Sequence, residues 1–518
     1  MYLTQGLHRA IQQRPNRPAT IFPGRQHNFR ELGERVAKLA GALKRLGLQP
    51  GDRVAMLSLN SDRYLEYYLA VFWAGGVVNP ANTRWSAAEL VYSFDDSEST
   101  ILIVDDHFAP MAAGFRSQAK TIRQVIHAGD TATPDGMLSY EQILQAAAPV
   151  VDAYRGKDDL AGIFYTGGTT GFPKGVMLSH TNLWSSAMSL LVQETLTPDD
   201  IYLHAAPMFH LANGAMAMAQ ILKGGVHAFL PAFSPVALMQ TIARDKVTHV
   251  VLVPVMIQML VDHPALKEHD LSSLRSIAYG GAPISEAVLD RAFAALPGVE
   301  FSQGYGMTEL SPMASSLTAY YHTPAGRKEG KLRSAGRALC TVEIKVVDAD
   351  DIEVPRGLVG EVIVRGPNVM QGYWQKPKET AAAIRNGWMH TGDGAYMDKD
   401  GFIFIVDRLK DMIVSGGENI YCGEVESAIA RHPAVATCAV VGIPDDKWGE
   451  VVHAVVVKKA GAEVSAEEIQ RHCKELIAGY KCPHSVEFRD ALPISGAGKV
   501  LKTALREPFW KGKTRAVN

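Results

Sequence analysis

The most informative segment of this sequence is Tyr165-Thr166-Gly167-Gly168-Thr169-Thr170-Gly171-Phe172-Pro173-Lys174-Gly175, which follows the apolar run 160–164. Glycines let backbone N–H groups approach phosphate oxygens, and the threonine hydroxyls add further donors. Lys174 adds a positive charge. The segment therefore predicts a phosphate-binding loop after a buried strand, with a Gly/Thr-rich surface turn as the alternative.

This loop differs from two common nucleotide-binding loops. Pro173 precedes the lysine where the P-loop of NTPases has glycine, and Gly175 follows it where that loop has the Ser or Thr that binds magnesium. The glycine spacing does not match the GxGxxG pattern of dinucleotide binders either. We therefore expect phosphate binding of another kind.

Short β-branched or aliphatic runs, separated by helical patterns, occur on both sides of this loop. The runs cover residues 53–59, 101–104, 249–254 and 276–279, and a helical period covers 31–46. This alternation is typical of doubly wound α/β folds, so we expect a mostly parallel sheet with helices over about the first 330 residues.

The pattern changes in the remainder of the chain. Strands predicted at 343–347, 361–364 and 402–406 are spaced by Gly, Pro and Asp turns, which indicates a small β-rich lobe. Helices at 423–431 and 466–477 then enclose strands at 436–441 and 453–457, enough for a separate α/β unit. We therefore predict an α/β protein with a large N-terminal domain (1–409) of two doubly wound α/β subdomains plus this lobe, and a small C-terminal α/β domain (410–518).

Composition restricts the class of partner. Lys and Arg total 52 against 54 Asp and Glu, so no broad positive field favours nucleic acid. The longest apolar run, 250–261, is shorter than the ~18–20 residues of a transmembrane helix. The start of the sequence lacks a signal-peptide pattern and the five cysteines are scattered, which favours the cytoplasm. Peripheral membrane contact and a two-fold homodimer stay open.

Six further segments follow the loop in a set order. They are Tyr279-Gly280-Gly281-Ala282-Pro283, Gln303-Gly304-Tyr305-Gly306-Met307-Thr308-Glu309, Trp388-Met389-His390-Thr391-Gly392-Asp393, Asp407-Arg408-Leu409-Lys410-Asp411, Ser415-Gly416-Gly417-Glu418-Asn419-Ile420 and Pro493-Ile494-Ser495-Gly496-Ala497-Gly498-Lys499-Val500. This ordered set resembles the acyl-adenylate-forming enzymes, the superfamily of acyl-CoA synthetases, firefly luciferase and the adenylation domains of peptide synthetases. Two positions depart from the usual pattern: Gly167 stands where Ser is common, and Ile494 where many members have a basic residue.

The resemblance implies a site for ATP, Mg²⁺ and coenzyme A. Glu309 and Thr169 would bind the metal, and Lys499 would be the catalytic lysine of adenylation. Asp393 would accept hydrogen bonds from the ribose hydroxyls, with Ile405 and Arg408 beside it. The remaining ATP-binding positions would be Thr166, Gly167, Gly168, Thr170, Gly171, Lys174, Gly281, Ala282, Pro283, Gln303, Gly304, Tyr305, Gly306, Met307 and Thr308.

The resemblance also implies that the C-terminal domain is mobile. It would rotate about Lys410 between two half-reactions, withdrawing Lys499 and bringing Gly416 and Gly417 to the pantetheine chain. His210, within Pro207-Met208-Phe209-His210-Leu211-Ala212-Asn213-Gly214, resembles an aromatic gate beside the acyl pocket. A satisfied core histidine is the alternative. Thr166, Lys174, His210, Glu309 and Lys499 are thus the candidate catalytic residues.

The implied reaction is ATP-dependent ligation of a carboxylic acid to coenzyme A through an acyl-AMP intermediate. The segments expected around the acyl pocket supply apolar, flexible side chains: Leu211, Met216, Met218, Met256, Met307 and Met313. These methionines could equally fill an ordinary core. The whole chain resembles bacterial fatty-acid–CoA ligases and, nearly as well, hydroxycinnamate ligases, so we expect a medium- or long-chain fatty acid, with a hydroxycinnamate such as ferulate as the alternative. Rival classes on the same fold are a carrier-protein-loading adenylation enzyme, a luciferase-like oxygenase and a non-catalytic nucleotide sensor.

Overall fold

The computed structural model describes residues 1–166, 173–193, 196–282, 284–408, 411–416, 418–494 and 500–511. Several predicted site residues therefore lie outside the described residues. They are Gly167, Gly168, Thr169, Thr170, Gly171, Pro283, Lys410, Gly417 and Lys499. None of the described helices is long and apolar enough to cross a membrane.

The first part of the chain forms a mostly parallel sheet with helices. Its elements are α1 (Gln5–Gln13), β1 (Pro18–Phe22), β2 (Arg25–Asn28), α2 (Phe29–Arg45), β3 (Arg53–Leu57), α3 (Asp62–Ala74), β4 (Val77–Pro80), α4 (Ala87–Asp96), β5 (Ser99–Val104), α5 (Ala109–Ala112), α6 (Phe115–Gln118), β6 (Gln124–His127), β7 (Leu138–Ser139), α7 (Tyr140–Gln145), β8 (Leu160–Thr166) and β9 (Lys174–Ser179). The predicted helix at 31–46 is α2, which begins where Asn28 and Glu31 form a reciprocal capping box.

The second part repeats the alternation. Its elements are α8 (His180–Gln193), β10 (Ile201–His204), α9 (Leu211–Lys223), β11 (Val226–Phe229), α10 (Pro235–Asp245), β12 (His249–Leu252), α11 (Pro254–Val261), β13 (Ser276–Gly280), α12 (Glu286–Ala295), β14 (Glu300–Gly306), β15 (Met313–Leu317), α13 (Pro324–Arg327) and β16 (Arg337–Ala338). Short 3-10 turns cover Pro264–Glu268, Thr308–Leu310 and Ala319–His322.

Two sheets carry these elements. Within the described residues, the first sheet has the strand order β19-β9-β8-β4-β3-β5-β6-β7, in which β19 is Gly372–Tyr373, and the second sheet has the order β16-β15-β14-β13-β12-β10-β11-β1-β2. The pairs in the middle of each sheet are parallel. Both edges of the sheet that ends in β16 and β2 are antiparallel, whereas the other sheet is antiparallel at its β19–β9–β8 edge and parallel at its β6–β7 edge. The N-terminal hairpin β1–β2 pairs with β11 of the second sheet, a placement that the sequence patterns did not predict.

The β-rich lobe and the C-terminal unit follow. The lobe region contains β17 (Glu343–Val347), β18 (Val359–Arg365), β19 (Gly372–Tyr373), α14 (Pro377–Ala383), β20 (Ile384–Arg385), β21 (Trp388–Met397) and β22 (Ile403–Arg408), of which β19 leaves to join β9. The C-terminal unit contains β23 (Ile413–Ser415), β24 (Glu418–Ile420), α15 (Cys422–Ala430), β25 (Val435–Asp445), β26 (Gly449–Lys458), α16 (Ala466–Leu476), a 3-10 turn (Gly479–Lys481), β27 (Ser485–Phe488) and α17 (Lys502–Trp510). The predicted α/β fold class is confirmed, with its large N-terminal part and small C-terminal unit.

Candidate active site

The predicted phosphate loop joins two strands of an antiparallel hairpin. In the pairing of β8 with β9, Thr166 lies opposite Lys174, so the residues on either side of the loop face each other. The Tyr165 hydroxyl donates to Oδ2 of Asp96 at 2.6 Å. Burial, followed by the Asp96 carboxylate, raises the pKa of Tyr165, which keeps this hydroxyl protonated as a donor. The hairpin is thereby fastened to α4 just before the loop.

Glu309 lies in the short 3-10 turn that follows β14, and it is 6% exposed. The Tyr373 hydroxyl donates to its Oε1 at 2.9 Å. Burial, followed by the Glu309 carboxylate, raises the pKa of Tyr373. The Lys174 ammonium lies 4.7 Å from the centre of the same tyrosine ring. The predicted metal ligand and the predicted phosphate ligand are therefore brought together by a residue that the sequence analysis missed.

A segment between the lobe and the first sheet holds this arrangement. The buried Asn368 amide donates to the carbonyl oxygens of Leu310 at 3.0 Å and Met313 at 2.8 Å. The Met370 amide donates to the Glu309 carbonyl oxygen at 2.9 Å. The chain then pairs with β9, where Tyr373 lies opposite Val176. Backbone and side-chain bonds therefore fix Glu309 from both sides.

Asp393, 6% exposed, lies in an irregularity of the lobe sheet. Between the pairs of Glu361 with Gly394 and Ile363 with His390, three residues of β21 face one residue of β18. Glu361 closes this bulge, because its Oε1 accepts from the Gly392 amide at 2.9 Å and its Oε2 lies 2.9 Å from Nδ1 of His390. Bulges re-aim side chains at functional sites. Within this bulge lies Gly392, the residue before Asp393, which has a φ of +71°.

The Asp393 carboxylate is held by two partners. Tyr305 donates its hydroxyl to Oδ2 at 2.7 Å, and Arg408 forms an ion pair with Oδ1 at 2.6 Å. Burial, followed by the charge of Asp393, raises the pKa of Tyr305 well above its usual value. For Arg408, burial lowers the pKa, but Asp393, Tyr305 and Glu309 outweigh it and the net pKa is raised. Asp393, Tyr305 and Arg408 thus form one charged cluster with Glu309 nearby.

The predicted adenine turn is formed by close approach of β13 and β14. A Cβ on Gly280 would lie 2.4 Å from the Gly304 carbonyl oxygen, so only glycine fits there. Gly281 has φ +79°, which glycine adopts without strain. The other described positions of this group are partly buried: Ala282, Gln303, Tyr305, Gly306, Met307 and Thr308. Ile405 lies on β22, three residues before Arg408, and is also partly buried.

His210 caps helix α9, because its Nδ1 accepts from the Ala212 amide at 3.2 Å. The loop before it is held by Asn60 of the first sheet's β3–α3 connection. The Asn60 Oδ1 accepts from the Met208 amide at 2.7 Å, and its amide lies within 3.1 Å of three carbonyl oxygens. The Tyr68 hydroxyl donates to the Met208 carbonyl oxygen at 2.8 Å. His210 is therefore presented on a rigid loop.

The predicted acyl-pocket residues divide between two apolar clusters. Met256 packs in the core of the second sheet with residues such as Leu238 and Ile257. The others belong to, or pack against, the larger cluster that also contains the helix after His210: Leu211, Met216, Met218, Met307 and Met313. Met256 therefore contributes to the core of the second sheet, and the rest of the predicted set contributes to the larger cluster.

In the C-terminal unit, Gly416 adopts φ +59°. Its amide donates to the Trp448 carbonyl oxygen at 2.8 Å, and a Cβ would lie 2.7 Å from the Trp448 ring. Glycine is therefore required at this position by backbone conformation and by space.

Tyr373, Glu361 and Asn60 are the site-supporting residues that sequence reasoning missed. Tyr373 lies in Gln371-Gly372-Tyr373-Trp374, which contains no carboxylate, no basic residue and no phosphate-binding pattern. The one visible feature of this segment is an aromatic pair, Tyr373-Trp374, after a glycine. It does not reveal that the partner of Tyr373 is Glu309, which is more than 60 residues away in the sequence.

Comparison with known proteins places these features in context. Residues 7–374 match the family described as AMP-binding enzyme, and residues 424–499 match the AMP-binding enzyme C-terminal domain. A feruloyl-CoA synthase of Amycolatopsis sp is 40% identical over 97% of this chain and 98% of its own length. The medium/long-chain-fatty-acid–CoA ligase FadD8 of Mycobacterium tuberculosis is 34% identical over 98% and 90%. The crystal structure of ATP-bound MatB from Rhodopseudomonas palustris, 33% identical, superposes with a TM-score of 0.89 and covers 99% of this chain and 100% of that one.

Proposed function

The chain belongs to the family of AMP-binding enzymes, and from that premise we propose that the acid it activates is an aromatic one of the hydroxycinnamate type. The protein is an ATP-dependent, AMP-forming ligase that joins a carboxylic acid to coenzyme A. Its substrates are ATP, a carboxylic acid and coenzyme A, and Mg²⁺ is its metal.

The observation that carries the site assignment is the convergence on Tyr373 of Glu309 and Lys174. A carboxylate is a poor acyl donor because its leaving group would be oxide. Attack of a carboxylate oxygen on the α-phosphorus of ATP forms the acyl-phosphate bond and breaks the bond to pyrophosphate. Negative charge grows on the transferred and departing phosphates, and fixed positive groups and N–H donors stabilise it.

The roles of individual residues are proposed as follows. Lys174 and the loop after Thr166 bind the departing phosphates, and Asp393 binds the ribose hydroxyls. Tyr305 and Arg408 already contact the two carboxylate oxygens of Asp393. The ribose hydroxyls would therefore donate to oxygens that also accept from these two side chains. Lys499 stabilises the pentavalent α-phosphate. The thiol of coenzyme A then attacks the mixed anhydride and releases AMP.

Glu309 fits a magnesium ion. It is a buried carboxylate, and a hard oxygen ligand of this kind suits Mg²⁺. Among the residues that the structure describes, Tyr373 donates to Oε1, and none donates a hydrogen bond to Oε2. Bound there, Mg²⁺ would neutralise charge on the phosphates of ATP.

Full-length similarity supports the aromatic acid. The relative named a feruloyl-CoA synthase shares 40% of its residues with this chain, against 34% for the fatty-acid–CoA ligase, at similar coverage. A medium- or long-chain fatty acid, which the methionine-rich segments favour, is the second candidate.

The experiment is a substrate panel with ATP, Mg²⁺ and coenzyme A. We expect kcat/KM for ferulate to exceed that for octanoate and palmitate by at least about tenfold, a difference of about 1.4 kcal/mol in transition-state binding. A higher value for either fatty acid would overturn the aromatic assignment and leave the ligase reaction intact. Pyrophosphate release without thioester would instead point to a different acceptor, such as a carrier protein.

The variant Lys499→Ala separates the two half-reactions. It should lose pyrophosphate release from ATP and ferulate, yet still convert chemically prepared feruloyl-AMP to the thioester. Equal loss of both steps would contradict the proposed role of Lys499.

A further inference from the structure

We propose that Tyr373 is a positioning residue that fixes Glu309 through its hydroxyl and Lys174 through its ring, so that the metal ligand and the phosphate ligand are set by one side chain. The inference rests on the proposed roles of Glu309 and Lys174. It predicts that the two halves of this side chain have separable effects on nucleotide binding.

The hydroxyl determines the orientation of the Glu309 carboxylate. It donates to Oε1 at 2.9 Å, and both residues are buried. A carboxylate with one oxygen engaged cannot rotate freely about its terminal bond, so the direction of Oε2 is also set. Outer hydrogen bonds of this kind orient carboxylate ligands before a metal binds.

The ring provides a resting position for Lys174. The ammonium lies 4.7 Å from the ring centre, within the range of a cation–π contact. Lys174 is the first residue of β9, directly after the predicted phosphate loop, and Tyr373 pairs with the same strand at Val176. The cation is therefore held beside the loop, where an arriving phosphate can attract it.

The backbone of Tyr373 is itself immobilised. Its amide donates to Oγ1 of Thr380 at 2.9 Å, and Gly372 has φ +144° with Thr380 2.7 Å from where a Cβ would lie. The Trp374 amide donates to the Gly175 carbonyl oxygen at 2.8 Å. Because the backbone of Tyr373 is held in this way, its hydroxyl and its ring keep fixed positions beside Glu309 and Lys174.

The competing explanation is that Tyr373 only stabilises the fold. The chain offers a matched control, because the buried Tyr140 hydroxyl donates at 2.7 Å to the buried carboxylate of Glu66. Tyr140→Phe deletes the same kind of hydrogen bond among the residues that surround α2, α3 and α7. A purely structural role predicts equal consequences for Tyr140→Phe and Tyr373→Phe.

The test measures binding of α,β-methylene-ATP by isothermal titration calorimetry, with Mg²⁺ and with EDTA, on the full chain. The ratio of the two dissociation constants reports the contribution of the metal. Tyr373→Phe keeps the ring and loses the hydroxyl, so we expect this ratio to fall about tenfold, the loss of one charged hydrogen bond, while metal-free binding stays within twofold. Tyr373→Gln loses the ring as well as the hydroxyl donor, so metal-free binding should weaken severalfold in addition to the fall in the ratio.

The outcomes distinguish the role of Tyr373 from the role of Glu309, on which it rests. Glu309→Gln should abolish the magnesium-dependent ratio, and if it does not, the proposed role of Glu309 fails. If Glu309→Gln abolishes the ratio but Tyr373→Phe behaves like the wild type or like Tyr140→Phe, only the inference about Tyr373 is overturned. Should Tyr373→Phe fail to fold, Tyr373→Gln still decides the ring's role through the metal-free measurement.

Discussion

The imidazole of His180 should make the protein less stable in mild acid. His180 begins α8, directly after the phosphate hairpin, and is 1% exposed. Neither ring nitrogen has a hydrogen-bond partner among the described residues, and the ring meets Phe72 edge-on at 5.5 Å. Burial lowers the pKa of His180 from 6.5 to about 4, while Asp159 raises it and Arg155 lowers it by smaller amounts.

The sign and size follow from proton linkage. The unfolded chain binds a proton at His180 near pH 6.5, whereas the folded chain binds it only near pH 4. Stability is therefore complete above pH 6.5 and is lost as the pH falls from 6.5 toward 4. At pH 5 the loss from this residue amounts to about 2 kcal/mol relative to pH 8.

The variant His180→Leu removes the titrating group and also the unpartnered polar atoms. Urea unfolding at pH 8 and pH 5, followed by tryptophan fluorescence, gives the change in unfolding free energy for each protein. We expect the variant to lose about 2 kcal/mol less than the wild type between the two pH values. Equal pH dependence of wild type and His180→Leu would refute the reasoning.

Three further outcomes are expected. Tyr305→Phe deletes the 2.7 Å bond to Asp393, so KM for ATP should rise about tenfold in an initial-rate titration, and an unchanged KM would argue against a ribose role. Asp407→Asn removes a carboxylate that accepts from the first amide of α15 and faces Lys502 at 4.0 Å, so trypsin should cleave between β22 and β23 about threefold faster, as read by mass spectrometry. Chelation by EDTA should lower pyrophosphate release about a hundredfold or more, reversibly on addition of Mg²⁺, and persistence of the rate would contradict metal dependence.

The local chemistry of the site could be predicted from the sequence. The run of glycines and threonines that ends in Lys174 predicts a phosphate loop after a strand, and the chain on either side of it forms a hairpin in which Thr166 lies opposite Lys174. The conformations of Gly281 and Gly416 belong to the same class, because a positive φ or a close backbone approach requires glycine. Such requirements are written into single residues and their immediate neighbours.

Long-range pairing could not be predicted in this way. The hairpin β1–β2 joins β11, some two hundred residues away, through backbone hydrogen bonds that carry no sequence signature. Strand 53–59 was predicted two residues too long, because the Leu59 amide bonds the Asp105 carboxylate instead of a neighbouring strand. The sequence also did not show which apolar cluster each predicted pocket residue joins: Met256 packs in the core of the second sheet, whereas Leu211 packs in the larger cluster.

The sequence by itself determined the order of the motifs and identified the candidate site residues, which include the predicted phosphate loop and the carboxylates Glu309 and Asp393. Only the tertiary structure decided how these groups are held. Tyr373 reaches Glu309 because a two-residue strand crosses from the lobe to β9, and Glu361 shapes the bulge before Asp393 because two strands slip out of register. The physical reason is that a side chain's chemistry is intrinsic to it, whereas its orientation depends on partners that only folding brings within hydrogen-bonding distance.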